Sequence, residues 1–119
     1  MREPEVVAHY VRWLEAQGWT CTVGPNGDYP DIDATHPEHG RLIVEAKGET
    51  SSNGGDVDTG YGQLLRRISH IPASRYALVV PVGKSLAAAL RVSPAVRARL
   101  GIELHVVEAN GTVSIWEQP

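Results

Sequence analysis

Residues 30–47 read Pro30-Asp31-Ile32-Asp33-Ala34-Thr35-His36-Pro37-Glu38-His39-Gly40-Arg41-Leu42-Ile43-Val44-Glu45-Ala46-Lys47, and this stretch decides the fold. A strand starts near Asp31 and stops at the turn-forming His36 to Gly40. From Leu42 to Lys47 an apolar run leads into two charges, as a second strand with one polar end would. Two strands joined by so short a turn predict an antiparallel hairpin. Side chains alternate across a strand, so Asp31 and Asp33 share one face of the first, and Glu45 and Lys47 share one face of the second. Paired in register, the hairpin gathers three carboxylates and one amine. Such a cluster is costly, because like charges repel and buried ions lose their hydration. A divalent cation is the simplest compensation, and hard carboxylate oxygens suit Mg²⁺ or Mn²⁺.

Towards the N-terminus, residues 4–17 place Val6, Val7, Tyr10, Trp13 and Leu14 at helical spacing, with Pro4 in the first turn and Gly18 as the stop. Residues 19–23 read as a strand, and 24–28 as a dense turn. Towards the C-terminus, residues 48–60 are polar and glycine-rich and predict a long irregular loop, the best candidate for a lid. Residues 61–70 then predict a helix with Leu64, Leu65 and Ile68 inward, and 75–82 a mostly buried strand. Ser85 and Ser93-Pro94 look like starts of two short helices, the second ending at Gly101. Residues 102–117 predict a hairpin around Asn110-Gly111, a dipeptide suited to a type I′ turn. The expected architecture is α/β: an αβββαβ core with a mixed central sheet flanked by helices, closed by a C-terminal β-hairpin.

At 119 residues, 42% hydrophobic and 21% charged, the chain has the size and composition of one globular domain, 1–119. It has no basic, apolar leader and no run of about 18 apolar residues, so a soluble cytoplasmic protein without a membrane partner is expected. The single cysteine, Cys21, has no disulfide partner and is expected to be a buried strand residue. The net charge of −3 hides a gradient: residues 1–59 carry eleven acidic and four basic side chains, residues 60–119 three and seven. An acidic half able to hold a cation faces a basic half able to hold phosphates. No phosphate-cradling glycine loop, nucleophile elbow or dinucleotide fingerprint supports a small-molecule enzyme of another fold.

Pro30-Asp31, followed after a turn by Glu45-Ala46-Lys47 at the end of an apolar strand, resembles the bipartite signature of the PD-(D/E)xK nuclease superfamily, whose restriction-endonuclease-like core also runs αβββαβ. The resemblance covers roughly residues 3–82. It implies that Asp31 and Glu45 bind Mg²⁺ or Mn²⁺, that Ala46 adds its carbonyl oxygen, and that Lys47 assists the attacking water. Glu5 looks like the glutamate of the N-terminal helix in the Holliday-junction-resolvase and Mrr-like branches, although any first helical turn favours acidic residues. Gln63 resembles the glutamine that several branches place on the next helix. Arg66 and Arg67 lie one turn beyond it and are expected to contact nucleic-acid phosphates. The implied activity is hydrolysis of nucleic acid, with DNA the expected substrate and a homodimer the expected assembly. The alternative is an inactive nucleic-acid- or protein-binding module on the same fold. Asp33 is either a second metal ligand or a strand residue at the rim of the sheet. His36, His39 and His70 read as turn and helix-end residues, and Trp13, Trp19 and Trp116 as core.

Overall fold

The hairpin forms as its sequence dictates. In the computed structural model, which describes residues 1–24 and 29–116, strand β2 (Ile32–His36) and strand β3 (Gly40–Ala46) pair antiparallel with Ile32 opposite Val44 and His36 opposite Gly40. Gly40, at φ +80°, makes the turn that a side chain would strain. Strand β1 (Thr20–Val23) adds antiparallel to the outer side of β2. On the inner side, β4 (Arg75–Pro81) and β5 (Ile102–Val107) continue from β3 in parallel, and the short β6 (Val113–Ile115) returns antiparallel along β5. The result is one mixed sheet of six strands in chain order.

Helices cover both faces. Helix α1 (Glu3–Glu15) buries Val6, Tyr10 and Leu14 against Ile32, Ala34, Leu42, Val44, Ala46, Ala77 and Val79. Helix α2 (Asn53–His70) buries Val57, Tyr61 and Leu64 against Leu78, Val80, Leu104 and Val106 on the other face. The short α3 (Lys84–Ala89) joins α2 there, and α4 (Pro94–Leu100) leads into β5. Ser93 caps α4 by accepting the Val96 N–H at 3.3 Å, and Gly101, at φ +71°, ends it. Among the described residues no helix is long and apolar enough to cross a membrane.

Four expectations need correction. Helix α2 begins at Asn53, so more than half of the glycine-rich segment at 48–60 is helical and only its first residues form a loop. Tertiary packing overrides the low helix propensity of its glycines: Val57 and Gly60 continue the buried face of Tyr61 and Leu64, and Thr50 N donates to Asn53 Oδ1 (2.7 Å) just ahead of the first turn. The turn after β5 is not type I′, because only Gly111 has positive φ (+87°). Gly111 N instead donates to Glu108 O and Glu108 N to Thr112 O, both at 2.8 Å, in a five-residue loop. Ser85 is not a helix cap but sits inside α3, fully buried, donating to Gly48 O at 3.0 Å. Cys21, on β1, is only partly buried. The turn expected at 24–28 falls almost wholly outside the described residues, as does the end of the expected 102–117 segment.

A buried polar chain ties α1 to the sheet. Tyr10 Oη lies 2.6 Å from His105 Nδ1, His105 Nε2 lies 3.0 Å from Glu103 Oε1, and Arg75 grips Glu103 with two bonds of 2.7 Å. Burial alone would raise Glu103, but Arg75 and His105 outweigh it and hold the carboxyl at about 2. Each polar group under α1 is thereby matched.

Candidate functional site

The register that pairs Ile32 with Val44 sets Asp31 beside Glu45. Antiparallel pairing brings the start of β2 to the end of β3, so both carboxylates lie at the C-terminal edge of the parallel strands. Asp31 Oδ2 accepts the Ala46 N–H at 2.8 Å, and Asp31 N donates to Glu45 Oε2 at 3.3 Å. The two residues thus lock each other through the backbone. Glu45 is fully buried although its strand ends there. Burial first, then the hydrogen bond to and charge of Asp31, push its carboxyl up to about 7, against the lowering effect of Arg67.

Lys47 follows Glu45 by two residues and lies on the same face, beneath α2. A side chain at Gly60 would stand 3.3 Å from Lys47 Cγ and Cε and 3.0 Å from Leu78 Cδ1, so the glycine leaves room for the lysine stem. Gly60, Gln63 and Arg67 succeed one another along one side of α2 at spacings of three and four. Gln63 is therefore placed between the helix position that touches Lys47 and the one that touches Glu45. Its Oε1 is buried and has no hydrogen-bond partner among the described residues.

Arg67, expected to face nucleic acid, turns inward and is only 9% exposed. Its Nε donates to Glu45 Oε1 at 2.9 Å, and its Nη2 to Tyr29 O at 3.1 Å. Arg66 stays exposed. Asp33 shares the face of Asp31, but Arg41 holds both its oxygens, at 2.9 and 2.6 Å.

Glu5 is exposed on α1 and its Oε1 accepts the Arg2 N–H at 3.4 Å, a helix-capping contact. The glutamate of this helix that feels the site is Glu3, which the sequence reading missed. The start of α1 lies against the end of β3, where Glu49 N donates to Met1 O at 2.8 Å. Burial and the nearby Asp31 carboxylate raise Glu3, while Lys47 lowers it. Both glutamates sit in the first turn, and only the docking of α1 tells them apart.

His36 is a turn residue: Glu38 N and His39 N lie 3.1 and 3.3 Å from Nδ1, and Nε2 lies 3.0 Å from Gln17 O. Asp56 accepts from Thr50 Oγ1, and Asp58 pairs with Arg91. Trp19 is buried in the core under α1, where Trp13 packs at its margin. Trp116 borders the core under α2. Among the described residues, no three His, Cys, Asp or Glu side chains gather as a metal-ligating group. The donor set at the site is two carboxylates, with Glu3 at its rim.

No family model and no curated protein matches the chain. Among solved structures, the SPO1766 protein of unknown function from Silicibacter pomeroyi is similar, with a TM-score of 0.54 and 18% identity over 98% of this chain and 68% of that one. The likeness is one of fold.

Proposed function

We propose that the protein is a metal-dependent phosphodiesterase on a restriction-endonuclease-like core, a nuclease that hydrolyses nucleic acid, with DNA as the expected substrate. One observation carries the reading: Asp31 and Glu45 are locked side by side at the end of β3, with Lys47 on the same face. Two carboxylates are too few for a zinc site but suit Mg²⁺ or Mn²⁺, which keep several waters and take substrate oxygens as further ligands. Burial, above all, and the neighbouring Asp31 raise the Glu45 carboxyl, and a cation held by the pair would offset that cost. Gln63 Oε1, buried and without a partner among the described residues, would accept a hydrogen bond from a water at the site.

Asp31 and Glu45 would hold the ion, and Ala46 could add its carbonyl oxygen. When bound, the ion would polarise the scissile phosphate and lower the pKa of a coordinated water. Lys47 orients the attacking water from the strand beside Glu45, and Gln63 accepts one of that water's protons in a hydrogen bond. Arg66, exposed and adjacent to Arg67 in α2, would contact the substrate backbone. The test is cleavage of duplex, junction and single-stranded DNA and RNA in Mg²⁺, Mn²⁺ or EDTA, with Asp31→Asn as control. Metal-dependent cutting that Asp31→Asn abolishes is expected; cutting in EDTA, or cutting by the variant, refutes the reading.

One observation favours the inactive binding module instead. Arg67 already sits on Glu45, where it offsets part of the charge a cation would neutralise. Under that reading the wild type binds nucleic acid and never cuts it under any metal.

A further inference from the structure

We propose that Arg67 is a resident counter-charge of the site, a positioning residue that holds Glu45 in its binding geometry and keeps the affinity for the divalent cation low enough for exchange. The inference rests on the function proposed above and adds a role for a residue that acts through Glu45.

The argument starts from burial. An arginine that is only 9% exposed gives up most of its hydration, and structures tolerate this only when its donors are matched. Those of Arg67 tie three segments together: its own helix, Glu45 on β3 at 2.9 Å, and the carbonyl of Tyr29, two residues before Asp31, at 3.1 Å. The planar fork thus fixes both halves of the carboxylate pair relative to α2, a task a flexible ammonium performs poorly. It also engages one oxygen of Glu45, while the Ala46 N–H engages one of Asp31. Electrostatics supplies the second half of the role. A fixed positive charge within a few ångströms of an incoming cation opposes its binding, and the opposition is strong where water is excluded. Position and charge therefore act in opposite directions: the geometry favours catalysis, and the charge weakens the metal complex.

Removal of the guanidinium separates the two effects. Mn²⁺ affinity is measured by calorimetry on wild type, Arg67→Gln and Arg67→Met over about pH 7 to 9, and compared where it no longer rises with pH, because loss of the guanidinium that lowers Glu45 moves its titration upward. Both variants are expected to bind Mn²⁺ at least about tenfold more tightly and to cleave at least about tenfold more slowly at saturating metal. A residue that only supports the fold would weaken both together. Unchanged or weaker Mn²⁺ binding in the variants, with binding intact in wild type, overturns the inference alone. No Mn²⁺ binding by wild type overturns the proposed function with it. A second measurement needs no variant. In wild-type protein the Arg67 Nε–H resonance, protected by its contact with Glu45, is expected to persist and shift when Mg²⁺ saturates the site. Its collapse to a solvent-exchanging signal would mean that the ion displaces the arginine, which also overturns the inference.

Discussion

Glu45 shows how a single buried group sets the behaviour of the site. Its carboxyl is pushed from an ordinary 4.5 up to about 7 by burial and by Asp31. Below 4.5 both the folded and unfolded states carry the proton; between 4.5 and 7 the folded state holds it and the unfolded state does not. Without metal, stability is therefore expected to fall as pH rises through that window, on the order of 1–3 kcal/mol. Thermal melts in EDTA at intervals from pH 4 to 8 measure the fall. Mg²⁺, binding only the folded state, should restore the loss at the alkaline end. In Asp31→Asn the fall should be smaller yet still present, because burial, the larger cause, remains; no fall at all in wild type would contradict this origin. The pairing of Asp31 with Glu45 was legible in the sequence because strand alternation and a short turn leave little choice of register. The placement of Arg67 was not. One charged residue on an amphipathic helix reads as solvated until the carboxylate it meets, 22 residues earlier, is known. Glu3 was missed for the same reason, since only the docking of α1 at the end of β3 distinguishes it from Glu5.

At the scale of elements, α2 is where local and tertiary forces disagree most. Its first half, Asn53 to Gly60, contains three glycines that weaken a helix by roughly 0.5–1 kcal/mol each relative to alanine. Two have a packing use. Gly60 admits Lys47 and Leu78, and Gly54 accepts the approach of Arg91, whose Nη2 donates to Gly54 O at 3.1 Å. Propensity therefore foretold a loop, while the buried face required a helix. Gly60→Leu is expected to destabilise by about 1–3 kcal/mol through overpacking. Gly62→Ala, with nothing within 4 Å of its new methyl, should stabilise by about 0.5–1 kcal/mol. Urea melts of the two variants decide the matter; a loss at Gly62 equal to that at Gly60 would mean that α2 does not seat on the sheet as described. The β-strands were easier to read, because the apolar runs at 42–46 and 75–81 leave no helical alternative of comparable burial. The loop at Asn110-Gly111 was mistaken in type because its length depends on where β6 pairs, which the dipeptide alone does not state.

At the scale of the whole molecule, the sheet leaves two edges, β1 and the three-residue β6, and exposes Val23, Tyr29 and Ile115. One domain of this size has little surface for sequence readout, and open edges favour pairing with a second copy. A homodimer is expected by light scattering at micromolar concentration. Finding only monomer would remove the dimer and leave the site intact. The charge gradient reaches the site only in part: of the described residues, Asp31, Glu45 and Glu3 meet near the end of β3, and α2 brings Arg67 to Glu45 while Arg66 stays exposed. Binding and cutting should therefore respond to different residues. Lys47→Ala is the variant that tests this most directly, with affinity for a DNA substrate and single-turnover cleavage in Mg²⁺ measured on the same preparation. The expected result is near-wild-type affinity with cleavage lowered at least about 10²-fold, the scale of a positioned acid–base group. Cleavage by Lys47→Ala at the wild-type rate would contradict the assignment of Asp31, Glu45 and Lys47 as a hydrolytic site.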